Sequence, residues 1–115
     1  MKLYGIKNCD TVKKATDWLN KNKIPFEFHD YKKSGITATK LSGWCKQVGW
    51  ERLVNTRGTT WWQLDESVQK KITNEKAAVS LMKENTSIIK RPLLEVNEKV
   101  ILLGFDEDEY KAKLK

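Results

Sequence analysis

The chain has 115 residues, 22 of them Lys or Arg and 15 Asp or Glu, giving a formal net charge of +7. With 39% apolar residues and two prolines, it lacks the composition of a disordered chain and has the size of one domain that needs no disulfide or metal staple. No uncharged run approaches the roughly 20 residues of a spanning helix, and the first residues lack the apolar core of a secretory signal. A transmembrane segment is thereby excluded, and with two cysteines too few for a staple framework the cytoplasm is the expected compartment.

Residues 2–6 read as a strand. Residues 11–22 follow as a helix, with Val12, Ala15, Trp18 and Leu19 at helical spacing and Asn8, Asp10 and Thr11 supplying its capping chemistry. Pro25 precedes a second strand, 26–31, with Phe26 and Phe28 on one face and Glu27 and His29 on the other. A turn at 33–35 leads to a helix capped by Thr37 or Thr39 and running to about Val48. Its apolar stripe, Leu41, Trp44, Cys45 and Val48, makes Cys45 a core residue.

The loop 55–60 is polar and ends in an N-cap, and helical patterns follow at 60–72 and 75–84. Two apolar runs, 93–96 and 100–103, are joined by Asn97-Glu98 as a hairpin. The last helix places Asp106 to Glu109 in its first turn and Lys111, Lys113 and Lys115 in its last, as the macrodipole favours. The order β-α-β, helical block, β-β-α predicts a small mixed α/β sheet with the first two strands parallel and the closing hairpin antiparallel. No linker, repeat or low-complexity stretch divides the chain, so residues 1–115 are expected to form one domain with a helical insertion at about 35–87.

The positive charge is uneven: residues 1–57 hold 12 basic and 5 acidic side chains, while 58–115 hold 10 of each. The basic half contains Cys9. That cysteine opens the first helix, where unpaired backbone N–H groups and the positive end of the dipole favour a thiolate. Lys7, Lys13 and Lys14 add to the potential and Asp10 opposes it. Cys9 is therefore either a nucleophile or a small residue that happens to begin a helix. Position 12 is Val, so no C-x-x-C pair exists, and a mixed disulfide at Cys9 needs an outside thiol or Cys45 to resolve it.

Arg57 and Arg91 stand in loop or strand-edge settings, where a guanidinium can hold a carboxylate, thiolate or oxyanion. Pro92 is either a strand-start residue or a cis peptide. Five tryptophans come without any nucleic-acid motif, so specific nucleic-acid binding is not expected. Adjacent Trp61 and Trp62 point about 100° apart on a helix and cannot both be buried in one place. His29 has no second ligand nearby, and no metal site is expected.

Three blocks, Tyr4-Gly5-Ile6-Lys7-Asn8-Cys9-Asp10-Thr11, Asn55-Thr56-Arg57-Gly58-Thr59 and Ile88-Ile89-Lys90-Arg91-Pro92-Leu93-Leu94, resemble in order and spacing the signatures of the arsenate-reductase-like (ArsC/Spx) family of the thioredoxin superfamily. The resemblance covers nearly the whole chain and is nearest the YffB-type subgroup. It implies a thioredoxin-like fold with a helical insertion. It also implies that Cys9 is the catalytic cysteine, that Arg57 and Arg91 bind anions beside it, and that Pro92 is a cis-proline facing it. Lys7 and Asn8 are further candidates for holding an anionic substrate, with Gly58 structural at the site.

Arsenate reductases of this family carry a third arginine after the hairpin, and here that place falls at or near Gly104. Loss of one cationic clamp weakens the grip on a small dianion, since each charge-assisted hydrogen bond contributes about 1.5–3 kcal/mol. The resemblance then implies a monothiol, glutathione-dependent thiol/disulfide reductase with no bound cofactor, acting on small thiols or protein disulfides. Two alternatives follow from the same family: an arsenate reductase of the glutathione/glutaredoxin type, and a non-enzymatic Spx-like regulator that binds RNA polymerase. The latter is expected to keep the C-x-x-C pair that Val12 breaks.

Overall fold

The computed structural model describes residues 1–115. In chain order its elements are β1 (Lys2–Gly5), α1 (Asp10–Lys21), β2 (Glu27–Asp30), α2 (Tyr31–Ser34), α3 (Ala38–Val48), α4 (Trp50–Leu53), α5 (Thr59–Trp62), α6 (Glu66–Lys71), α7 (Glu75–Glu84), β3 (Leu93–Val96), β4 (Lys99–Leu103) and α8 (Glu107–Leu114), with a 3-10 turn at Thr86–Ile88. The chain divides into two compact units, Met1–Ser34 with Arg91–Lys115, and Gly35–Lys90. No helix is long and apolar enough to cross a membrane.

The first unit carries a four-stranded sheet in the order β2-β1-β3-β4. β1 and β2 run parallel, while β1–β3 and β3–β4 are antiparallel, as the crossover and the hairpin require. In the hairpin Asn97 and Glu98 both adopt positive φ, 51° and 66°, the conformation that lets a two-residue turn match the twist of its strands. Val12, Ala15, Trp18 and Leu19 of α1 are buried. The last three join Leu3, Leu94, Leu102 and Tyr110 in one apolar cluster, with the Trp18 and Tyr110 rings edge-on at 5.4 Å. α8 starts where expected because the Asp106 carboxylate accepts from the N–H groups of Asp108 and Glu109.

Gly5 sets how closely α1 lies on the sheet. A Cβ at this position would stand 2.7 Å from Val12 Cγ2 and 3.6 Å from Phe28 Cε1, so only a residue without one lets the helix settle. Gly5→Ala is expected to lower stability by about 1–3 kcal/mol, read from the urea midpoint. An unchanged midpoint would mean that α1 lifts without cost.

The second unit is helical. α3 packs against α7, and each is capped as its sequence suggests: Thr37 accepts from the Lys40 N–H and Asn74 from the Ala77 N–H. Ser42 Oγ donates to Glu75 Oε2 at 3.1 Å. Leu41, Trp44 and Cys45 are buried as the stripe predicts. An antiparallel bridge between Val54 and Ile89 closes the unit, with Asn55 N–H bonded to the Ile88 carbonyl and Lys90 N–H to that of Leu53, both at 2.7 Å.

Several expectations need correction. The second strand ends at Asp30 rather than Tyr31, because Asp30 Oδ1 accepts from the Lys32 N–H at 2.9 Å and folds the chain into the one-turn helix α2, an Asx-type competition with the strand. The helix expected at 60–72 is two helices, α5 and α6. The Leu64 N–H turns back to the Trp61 carbonyl, and the Asp65 carbonyl accepts from Val68 and Gln69 to begin a new helix. Gly58, with no side-chain bond, stands at the N-cap of α5. Trp61 is half-buried and Trp62 is 71% exposed, consistent with their divergence on one turn. The short helix α4 and the 3-10 turn have no counterpart in the sequence reading, being too short to show a period.

Candidate active site

α1 begins immediately after Cys9, which is itself the N-cap, with extended backbone (φ −109°, ψ 125°). Asn8 and Thr11 therefore do not cap this helix. Asn8 instead takes the left-handed conformation at φ 69°, turning the chain from β1 so that the cysteine arrives at the open end of the helix. The Cys9 carbonyl accepts the first helical bond from Lys13 N–H at 2.9 Å, leaving the sulfur beside the unpaired donors of the first turn.

Partial burial pushes the Cys9 thiol up. It is outweighed by a hydrogen bond from the Val12 N–H, by a hydrogen bond and the positive charge of the Arg91 guanidinium, and by a bond from the Thr11 N–H, so the thiol lies below its ordinary range. The helix start and one arginine thus favour the ionised form of this thiol. Cys45 behaves oppositely: burial, followed by the charges of Glu75 and Glu51, pushes its thiol up to about 11. A buried, protonated thiol is a poor attacking group.

Arg91 enters the site from the strand that follows it. The Arg91–Pro92 peptide is cis, and Pro92 is buried. Its carbonyl accepts from the Gly104 N–H at 2.8 Å. Gly104 sits at φ 83°, a conformation that favours glycine over any side chain.

Lys7 and Asn8 are exposed on the loop that carries Cys9, and both line a groove of about 510 Å³ together with it. Arg57 and Gly58 belong to the helical unit. Arg57 is exposed, and its backbone N–H donates to Asn55 Oδ1 at 3.2 Å. A Cβ on Gly58 would lie 2.8 Å from Asn55 Nδ2, so the glycine allows this loop to turn tightly over the asparagine. His29 packs its ring on Tyr4 at 4.8 Å and near Tyr31 at 6.0 Å. No group of three His, Cys, Asp or Glu is placed to hold a metal ion.

Sequence reasoning missed a buried polar cluster in the same unit. Tyr4 Oη donates to Glu95 Oε1 at 3.0 Å, across 91 residues of chain. Tyr31 is buried, and burial raises its pKa well above the ordinary value; the charge of Arg91 acts on it in the opposite sense. The signal was a lone acid, Glu95, inside the apolar run Leu93-Leu94-Glu95-Val96. Removing the Tyr4 hydroxyl takes a donor from a buried carboxylate, so Tyr4→Phe is expected to destabilise by about 1–3 kcal/mol. The Tyr31 hydroxyl has no hydrogen-bond partner, so Tyr31→Phe is expected to leave the urea midpoint unchanged or raise it. Equal losses in both variants would refute this assignment.

Comparison with known proteins adds to the geometry. The ArsC family model matches residues 4–113. The solved structure of the YFFB (PA3664) protein superimposes with a TM-score of 0.92 at 46% identity, covering 99% of this chain and 98% of that one. An arsenate reductase (ArsC) related protein from Brucella melitensis matches with a TM-score of 0.79 at 44% identity, covering 99% of this chain and 93% of that one. The global transcriptional regulator Spx of Streptococcus mutans is 28% identical over 97% of this chain and 81% of its own length.

Proposed function

The chain belongs to the ArsC family, and from that premise we propose that it is a cytoplasmic monothiol reductase of disulfides, with glutathione as the resolving thiol and Cys9 as the nucleophile. The observation that carries this reading is the place of Cys9 at the N-cap of α1, where the first-turn N–H groups and the Arg91 guanidinium favour its thiolate. A thiolate at neutral pH attacks the sulfur of a disulfide; the Cys9 Sγ–S bond forms as the S–S bond breaks, and the departing thiolate takes a proton from water. Glutathione thiolate then attacks the sulfur bonded to Cys9 and releases the enzyme as thiolate. With Val at position 12 and the Cys45 thiol buried and raised to about 11, an external thiol is the fitting resolving group.

Arg91, Lys7 and Asn8 are the groups assigned to the anionic partner, with Pro92 shaping the loop that carries Arg91; the family resemblance alone gives Arg57 and Gly58, in the helical unit, the same roles. A small dianion such as arsenate is the less favoured substrate, because the stretch 102–105, at or near which the family resemblance puts a third arginine, contains none. The test is turnover of hydroxyethyl disulfide by the purified protein with glutathione, run beside an assay for arsenite formation with glutathione and glutaredoxin. Turnover in the first with none in the second supports the proposal; arsenite formation alone overturns it.

The Spx relative supports a second reading, a regulator that binds RNA polymerase. Retention of polymerase on the immobilised protein, combined with no thiol turnover, would decide for that reading.

A further inference from the structure

The reading above uses Cys9, Lys7 and Asn8 of the groove beside the thiolate but leaves the groove's apolar wall and Lys13 without a role. The groove has a volume of about 510 Å³ and is open to solvent along one side, within the roughly 300–1,000 Å³ of small-molecule sites. Its walls come from α1 and from the β1–β2 side of the sheet in the same unit. Phe28 is among the few large apolar side chains left exposed, at 37%. It lines the groove together with half-buried Ile6 and with Val12. Two basic residues, Lys7 and Lys13, line it against one acidic residue, Asp10. Lys13 is one helical turn beyond Cys9, on the same side of α1.

Apolar side chains, an excess of positive charge and a cysteine lining one groove describe a particular occupant. We propose that the groove seats the half of the substrate disulfide that stays bonded to Cys9, and that this half is an organic thiol with an apolar body and a carboxylate. The inference rests on the thiol-exchange reading above. Cys9 thiolate attacks the sulfur of the seated half, the Cys9 Sγ–S bond forms, and the S–S bond breaks. The other half leaves as a thiolate and is protonated by water; its sulfur is reduced while Cys9 is oxidised. Glutathione thiolate then bonds to the seated sulfur, freeing Cys9 thiolate and releasing a glutathione mixed disulfide of the seated thiol. The apolar body rests on Phe28, and the carboxylate faces Lys13.

Single-turnover rates with three disulfides test this: dithiobis-nitrobenzoate (aromatic and anionic), dithiodipyridine (aromatic and neutral) and hydroxyethyl disulfide (neutral and non-aromatic). Taking rate ratios removes any change in Cys9 ionisation common to all three. Lys13→Glu is expected to lower the nitrobenzoate-to-dipyridine ratio roughly tenfold, as an attractive charge becomes a repulsive one. Phe28→Ser is expected to lower both aromatic rates about fivefold relative to hydroxyethyl disulfide. Lys83→Glu, an exposed change on α7, controls for net charge and should move neither ratio. If both ratios hold in the groove variants while the wild-type protein still exchanges thiols, the groove assignment is overturned and the enzymatic reading stands. If the wild type reacts with none of the three, both fall.

Discussion

Replacing Cys9 by serine is expected to abolish disulfide turnover, with a loss of at least about 10³-fold, while the protein remains folded. The sulfur carries the reaction because only a thiolate is both ionised near neutral pH and nucleophilic enough to open a disulfide. The fold should not suffer, since the Cys9 backbone already has the extended geometry of an N-cap and serine offers the first-turn N–H groups an acceptor in the same place. Serine is a favoured residue there and can accept from the Val12 N–H, so stability should stay level or rise by up to about 1 kcal/mol. Turnover of hydroxyethyl disulfide and a urea melt on the same preparation give the two readouts. A serine variant that keeps its turnover would remove Cys9 from the mechanism.

Arg91→Ala is expected to produce the second largest effect. The guanidinium both donates a hydrogen bond to Cys9 and places a positive charge beside it, so its loss favours the neutral thiol and moves the Cys9 pKa up. The sign follows directly: below the shifted pKa the variant holds less thiolate than the wild type, while well above it both are fully ionised. Alkylation by iodoacetamide should therefore be about tenfold slower at pH 7 and nearly equal at high pH, since a charge-assisted hydrogen bond contributes about 1.5–3 kcal/mol. Arg91→Lys should fall between the two, because the charge is kept and the planar fork is not. Cys45 provides an internal control: buried and raised to about 11, it should stay unlabelled in the folded protein. Parallel pH profiles for wild type and Arg91→Ala would show that the helix start alone sets the thiolate.

What sequence alone determined was local. The stripe on α1, the positive-φ turn Asn97-Glu98, the acid-first charge order of α8 and the parallel β-α-β crossover each follow from side-chain period or turn chemistry within a few residues, and the structure reproduces them. A cysteine at a helix start was likewise legible, because the unpaired N–H groups belong to the same short stretch of chain. The boundaries that failed did so at local hydrogen bonds that periodicity does not show: the Asp30 side chain ended β2 and opened α2, and the backbone carbonyls of Trp61 and Asp65 closed α5 and began α6. Tertiary structure decided the contacts between residues far apart in the chain. It brought Arg91 to Cys9, Tyr4 to Glu95 across 91 positions, and Phe28 to the wall of the groove beside the thiolate. Periodicity specifies which face of an element is apolar but not which distant element will cover it, and both the ionisation of Cys9 and the shape of its surroundings depend on that second fact.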